Sequence, residues 1–133
     1  MKLVWRVVVV SLLAVLFLTT VAEAGGGTVQ HVTTHSKIKV SDTSISPGDD
    51  LFIVGRLKSK KNGCKVDLVL KLFFKGNQVG SKRTNNNGKV FFKKNPFSTG
   101  KWQIRFEGKK TGTHPNKLFC KPSRSNLVRV KVS

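Results

Sequence analysis

Few residues in this chain could carry chemistry, and their spacing does not suit it. Histidines occur at positions 31, 35 and 114. His31 and His35 stand four apart, which aligns two metal ligands only on a helix, and the polar stretch around them reads as a loose arm. No spare Cys completes a ligand set. Beyond residue 24 the carboxylates are Asp42, Asp49, Asp50, Asp67 and Glu107. Glycosidase chemistry needs two at a fixed separation, one of them kept protonated. Asp67 and Glu107 fall instead on the polar side of Lys-rich stretches, where the expected role is to relieve positive charge through salt bridges. The adjacent pair Asp49-Asp50 lacks the alternating ligand spacing of a calcium loop. Neither a G-x-S-x-G nucleophile turn nor a glycine-rich nucleotide loop occurs. The reading is of a non-enzymatic chain with no cofactor and no metal.

Cys64 and Cys120 are the only cysteines. In an exported protein two cysteines most simply pair. Cys64 precedes the longest alternating stretch, and Cys120 sits in a long loop, Gly108–Ser125, before the last one. The expected bond is a staple holding Lys109–Lys121 against a sheet edge, unlike the mid-strand bond of antibody domains. A redox-active dithiol would use closer spacing, as in C-x-x-C.

Charge dominates the composition. The 133 residues include 25 Lys+Arg against six Asp+Glu, a formal charge of +19. Met1–Arg6 is a short basic segment, Val7–Leu18 an apolar run, and Val21-Ala22-Glu23-Ala24 offers small residues at −3 and −1. This is the pattern of a secretory signal cleaved before Gly25. A retained membrane anchor would need about 20 apolar residues, more than the run supplies, and no later stretch resembles a second membrane segment. The remaining segment carries 23 basic and five acidic residues, a charge of +18. A secreted or cell-surface location follows. The dense basic groups are Lys58-Lys60-Lys61, Lys82-Arg83, Lys93-Lys94, Lys109-Lys110 and Lys117-Lys121-Arg124. Such a surplus repels other copies and attracts polyanions: teichoic acids, acidic polysaccharides, anionic lipid headgroups or extracellular DNA. The candidate polyanion-binding set is Lys82, Arg83, Lys93, Lys94, Lys109, Lys110, Lys117, Lys121 and Arg124. The bland counterpart is that these lysines serve solubility and blunt sheet edges. Sequence-specific nucleic-acid readout is not expected, because nothing reads as a recognition helix.

Something must position these side chains, and the dominant period is two. Val66, Leu68, Leu70, Leu72 and Phe74 share one parity, with Lys65, Asp67, Lys71 and Lys75 on the other. Trp102, Ile104 and Phe106 alternate with Lys101, Gln103, Arg105 and Glu107, and Val128, Val130 and Val132 alternate with Arg129 and Lys131. Alternation of this kind gives strands with one buried and one wet face. Weaker strands read at Lys37–Val40, Leu51–Leu57, Gln78–Thr84 and Lys89–Lys93. Phe73 and Phe91 carry the parity opposite to the core rows, which offers either a stacking face or packing at an edge. Turn signals fall at Pro47-Gly48, Asn62-Gly63, Gly76-Asn77, Asn87-Gly88 and Thr99-Gly100, with Asn87-Gly88 suited to a tight hairpin. About seven short strands predict an all-β fold, an immunoglobulin-like antiparallel β-sandwich; a small barrel would share the periodicity. The expected organisation is a signal peptide over 1–24, a flexible arm over 25–36 and the sandwich over 37–133.

Four stretches carry a resemblance: Ser46-Pro47-Gly48-Asp49-Asp50-Leu51-Phe52-Ile53-Val54-Gly55, Gly76–Phe92, Thr99–Gly108, and Cys120–Ser125 with the Val-rich strand after it. Over about 37–133 the chain resembles bacterial secreted Ig-like (Big-type) domains. The resemblance implies a non-catalytic module of a surface or secreted protein and carries over no ligand residue. The expected function is a basic Ig-like module associating with anionic envelope or extracellular polymers. The alternatives are a cationic effector acting on membranes and a structural module docking to a protein partner.

Overall fold

A computed structural model describes residues 28–113 and 116–133. The signal expected over 1–24 lies outside them, as do Gly25–Gly27 of the expected arm and His114. The described chain is all-β, with twelve strands: β1 (Thr28–Val32), β2 (His35–Val40), β3 (Ser44–Ile45), β4 (Leu51–Lys58), β5 (Val69–Phe74), β6 (Asn77–Arg83), β7 (Lys89–Lys94), β8 (Gly100–Phe106), β9 (Lys109–Thr111), β10 (Asn116–Cys120), β11 (Ser123–Arg124) and β12 (Val128–Val132). One 3-10 turn, Asn62–Cys64, interrupts them.

The strands form three sheets. One runs β2-β4-β7, the second β3-β12-β8-β5-β6 with β11 added on β8, and the third β1-β10-β9. The pairings are antiparallel except β3 with β12 and β1 with β10, which are parallel. This corrects the expectation of about seven strands, all antiparallel.

The alternating rows explain the core. Leu51, Ile53 and Leu57 of β4, Val90 and Phe92 of β7, Leu70 and Leu72 of β5, Trp102, Ile104 and Phe106 of β8 and Val130 of β12 are buried in one cluster. The inward faces of the first two sheets thus share one interior, an arrangement consistent with a β-sandwich. Each fully buried aliphatic side chain there contributes about 1.5–3 kcal/mol. Packing is close at Gly55: a Cβ would lie 2.8 Å from Ile104 Cδ1 and 2.9 Å from Val90 Cγ2, so any side chain there would force those buried groups to shift. The Phe74 and Trp102 rings meet with centroids 4.4 Å apart.

Three turns depart from or refine the sequence reading. Val66 and Leu68 share the parity of β5, yet the strand begins at Val69 because Asp67 adopts a left-handed φ of 56°. Leu68 is still buried, its N–H donating to Thr84 Oγ1 at 3.0 Å. Between β5 and β6 the two turn residues, Lys75 and Gly76, both have positive φ (52° and 81°), as a twist-matched hairpin demands. Asn87-Gly88 does not close a hairpin. β6 and β7 belong to different sheets, and the segment crosses between them, with Asn85 Oδ1 accepting from the N–H groups of Asn87 and Lys89.

The arm expected over 25–36 is also corrected, since its described residues hold β1 (Thr28–Val32) and the start of β2 from His35. The loop expected over 108–125 holds β9, β10 and β11. β10 runs beside β1 in register, Val32 opposite Cys120, and Lys121 N–H donates to the Val32 carbonyl at 2.9 Å. Cys64 and Cys120 are bonded, both fully buried, and tie this third sheet to the turn after β4. The staple was legible in the sequence; the strands it fixes were not.

Candidate anion-binding faces

The outward rows of β2, β4 and β7 build the most coherent cationic surface. Cross-strand register sets Lys37 opposite Arg56 and Arg56 opposite Lys89, so three cations line up across three neighbouring strands. Two residues along, about 7 Å at the usual strand rise, the row is Lys39, Val54 and Phe91. Phe52 opposite Lys93 follows beyond it, and His35 opposite Lys58 closes the other end. Lys37, Lys39, Arg56 and Lys58 are exposed and Lys89 is half-buried. None of these five forms an ion pair among the described residues, where Lys71–Glu107 (2.6 Å), Arg83–Asp67 (3.6 Å) and Lys93–Asp50 (3.7 Å) occur. Like charges directly opposite on a sheet are destabilising by some tenths of a kcal/mol per pair. A shallow cleft of about 320 Å³ runs between Lys37, Lys39, Val54, Arg56 and Lys89. Past the His35–Lys58 row a larger cleft, about 480 Å³, is lined by His31, His35, Lys58, Lys60 and Lys61 together with Gln30, Val32, Thr33 and Ser59, and no carboxylate borders it.

The outward face of the second sheet also aligns cations, with Lys71, Arg105 and Arg124 across β5, β8 and β11 and Lys101 opposite Arg129, but part of it is satisfied within the chain. Lys71 pairs with Glu107, and the Arg105 guanidinium lies 3.9 Å over the Phe73 ring, a cation–π contact. Arg105 Nε also donates to Gln103 Oε1 at 2.8 Å. Phe73, one of the two off-parity aromatics, is therefore half-covered by its own neighbour. Phe91, the other, is 54% exposed, and Phe52 matches it at 52%.

The structure divides the residues singled out from the sequence into two groups. Lys109 and Lys110 on β9, Lys117 on β10 and Lys121 just after it are exposed on the third sheet, whereas Arg124 on β11 stands opposite Arg105 on the second. These five are without a carboxylate partner among the described residues. Lys82, Arg83, Lys93 and Lys94 are engaged within the chain. Lys82 Nζ donates to the Phe91 carbonyl and lies 5.4 Å from the Phe92 ring centroid, while Lys94 Nζ donates to the Val79 carbonyl at 2.8 Å. The last two bonds lace β6 to β7 along the seam between the sheets. Arg83 donates to the Asp67 carbonyl at 3.1 Å as well as pairing with its carboxylate.

Sequence reasoning did not single out Lys37, Lys39, Phe52, Arg56 or Lys89. The available signal was the parity of β4: Phe52, Val54, Arg56 and Lys58 all oppose the buried Leu51, Ile53, Gly55 and Leu57. Among the described residues no group of three or more His, Cys, Asp or Glu could hold a metal ion, and no helix is long and apolar enough to cross a membrane. No protein-family model matches the chain, and neither does any curated protein sequence.

Proposed function

We propose that the chain is an exported, non-catalytic Ig-like sandwich that associates with anionic polymers of a cell surface or its surroundings. The observation that carries this is the charge arrangement. All 23 basic residues beyond position 24 lie in the described region, and only Lys71, Arg83 and Lys93 meet a carboxylate there. Unpaired cations set opposite one another reduce stability, and a bound polyanion would relieve that repulsion. A cationic surface kept only for solubility has no need of three aligned cations at 37, 56 and 89.

The strand order supports the Ig-like part of the reading. β2-β4-β7 corresponds to an A-B-E sheet, and β12-β8-β5-β6 to G-F-C with an added strand beside C. The Cys64–Cys120 bond, buried and long-range in sequence, is compatible with an oxidising compartment.

Chromatography on immobilised heparin and on teichoic-acid resin tests the association. Retention above physiological salt is expected. Glu substitutions at Lys37, Lys39, Arg56 and Lys89 should shorten it more than substitutions at Lys82 and Lys94, which are already bonded to carbonyls. Elution below physiological salt, or equal effects from both sets, would defeat the proposal.

A further inference from the structure

Two phenylalanines stand toward one end of the cationic face of β2-β4-β7, and charge alone does not account for them. Phe52 and Phe91 are each about half-exposed, at 52% and 54%. They lie on adjacent strands, Phe52 opposite Lys93 and Phe91 two residues before Lys93, so they are diagonal neighbours on one face. Val54, directly opposite Phe91, fills the corner between them. Lys39, Lys93, Arg56 and Lys89 flank this apolar island on neighbouring positions of the same face. A uniformly charged polymer such as a teichoic acid would engage the cations and leave both rings in water.

We propose that this face is a platform for single-stranded nucleic acid, with Phe52 and Phe91 stacking bases while Lys37, Lys39, Arg56 and Lys89 hold the phosphates. The inference rests on the polyanion reading and narrows it to one polymer class. Aromatic rings set among cations are what sequence-independent strand binding requires, since every base offers a π face. Diagonal neighbours on a sheet lie about 7–8 Å apart. That is roughly twice the rise of about 3.4 Å per base in a stacked duplex strand, so the two rings fit bases drawn apart in an extended single strand. In a duplex the base faces are covered and only the phosphates would touch this surface. Lysine and arginine side chains keep their charged heads at the water boundary, so a lipid surface would meet the cations of this face before either Phe could enter the acyl layer.

Fluorescence anisotropy on the purified, disulfide-bonded chain tests this. One probe is a labelled oligothymidylate of about 12 nucleotides, within the span a single small domain covers. The other is an abasic deoxyribose-phosphate oligomer of equal length, which keeps the charge and removes the bases. Oligothymidylate is expected to bind at least about tenfold more tightly than the abasic oligomer. Phe52→Ala and Phe91→Ala should each weaken oligothymidylate roughly 5- to 150-fold, the range found for loss of one stacking partner, and leave abasic binding unchanged. Phe52→Leu and Phe91→Leu keep the apolar bulk, so they guard against loss of fold and should weaken oligothymidylate in the same direction. Equal affinity for the two oligomers, or oligothymidylate binding retained in the Leu variants, would overturn the platform and leave a charge-only association standing. Duplex DNA of the same length binding as tightly as the single strand would also overturn it. Failure of both oligomers and of heparin to bind at low salt would remove the polyanion reading itself.

Discussion

Opening the Cys64–Cys120 bond should lower stability by about 4 kcal/mol, and the structure says where the loss begins. The bond joins residues separated by 56 positions, and the loop-closure entropy it removes from the unfolded chain is about 4 kcal/mol for a loop of that size. Against a domain stability of about 5–15 kcal/mol, that is a large share. The native state should tolerate the change sterically, since both sulfurs sit in a fully buried site where a small apolar group fits. Urea unfolding of the wild type and of a Cys64→Ala/Cys120→Ala double variant reads the effect. At a slope of about 1–3 kcal/mol per molar, the midpoint should fall by roughly 1.3 to 4 M. Hydrogen exchange should show amides of β9 and β10 opening first, because these strands pack against the bonded turn, where a Cβ added to Gly63 would lie 3.1 Å from Leu118 Cδ1. A midpoint shift under about 0.5 M, or uniform exchange across all three sheets, would refute both the entropic account and the role assigned to the staple.

Three further outcomes follow from the same structure. Arg56→Glu places a carboxylate between Lys37 and Lys89, so it should raise stability by about 1 kcal/mol while shortening heparin retention; a variant that loses both stability and retention would contradict the assignment of that row. Gly55→Ala forces a methyl against Ile104 and Val90, and chemical unfolding should show a loss of about 1–3 kcal/mol. If Lys37, Lys39, Arg56 and Lys89 all contact phosphates of a single strand, the logarithm of the binding constant should fall against that of salt with a slope near −3, about −0.7 per contact. Titrations of oligothymidylate at several salt concentrations measure it.

Much of this architecture could be read from the residues, and the exceptions have physical causes. β5, β8 and β12 were legible because each has one dry face and one wet one, which the period of two reports directly. β4 was legible as a strand but its outward face was harder to read: Leu51-Phe52-Ile53-Val54 is apolar on both parities, and only the parity of Arg56 and Lys58 further along marks Phe52 as outward. β1, β9, β10 and β11 are short, and none shows a clean alternation of apolar and polar residues. Lys109 and Lys110 are both exposed, so no alternation marks them, and their register comes from backbone pairing and the Cys120 bond. The charge surplus was plain from composition, but the sorting of cations was not. Lys82 and Lys94 bond to the carbonyls of Phe91 and Val79, and a backbone acceptor supplied by a distant strand leaves no trace in residue type.

The scarcity of carboxylates also governs how copies of the chain meet one another. At about 0.15 M salt, fields from exposed charges persist for about 8 Å, enough for one molecule's basic edge to hold off another's before main-chain groups on strands such as β6 can pair. An anionic polymer cancels that mutual exclusion. Turbidity should therefore peak near charge equivalence, when many chains crowd along one neutralised thread, and clear again once polymer is in excess.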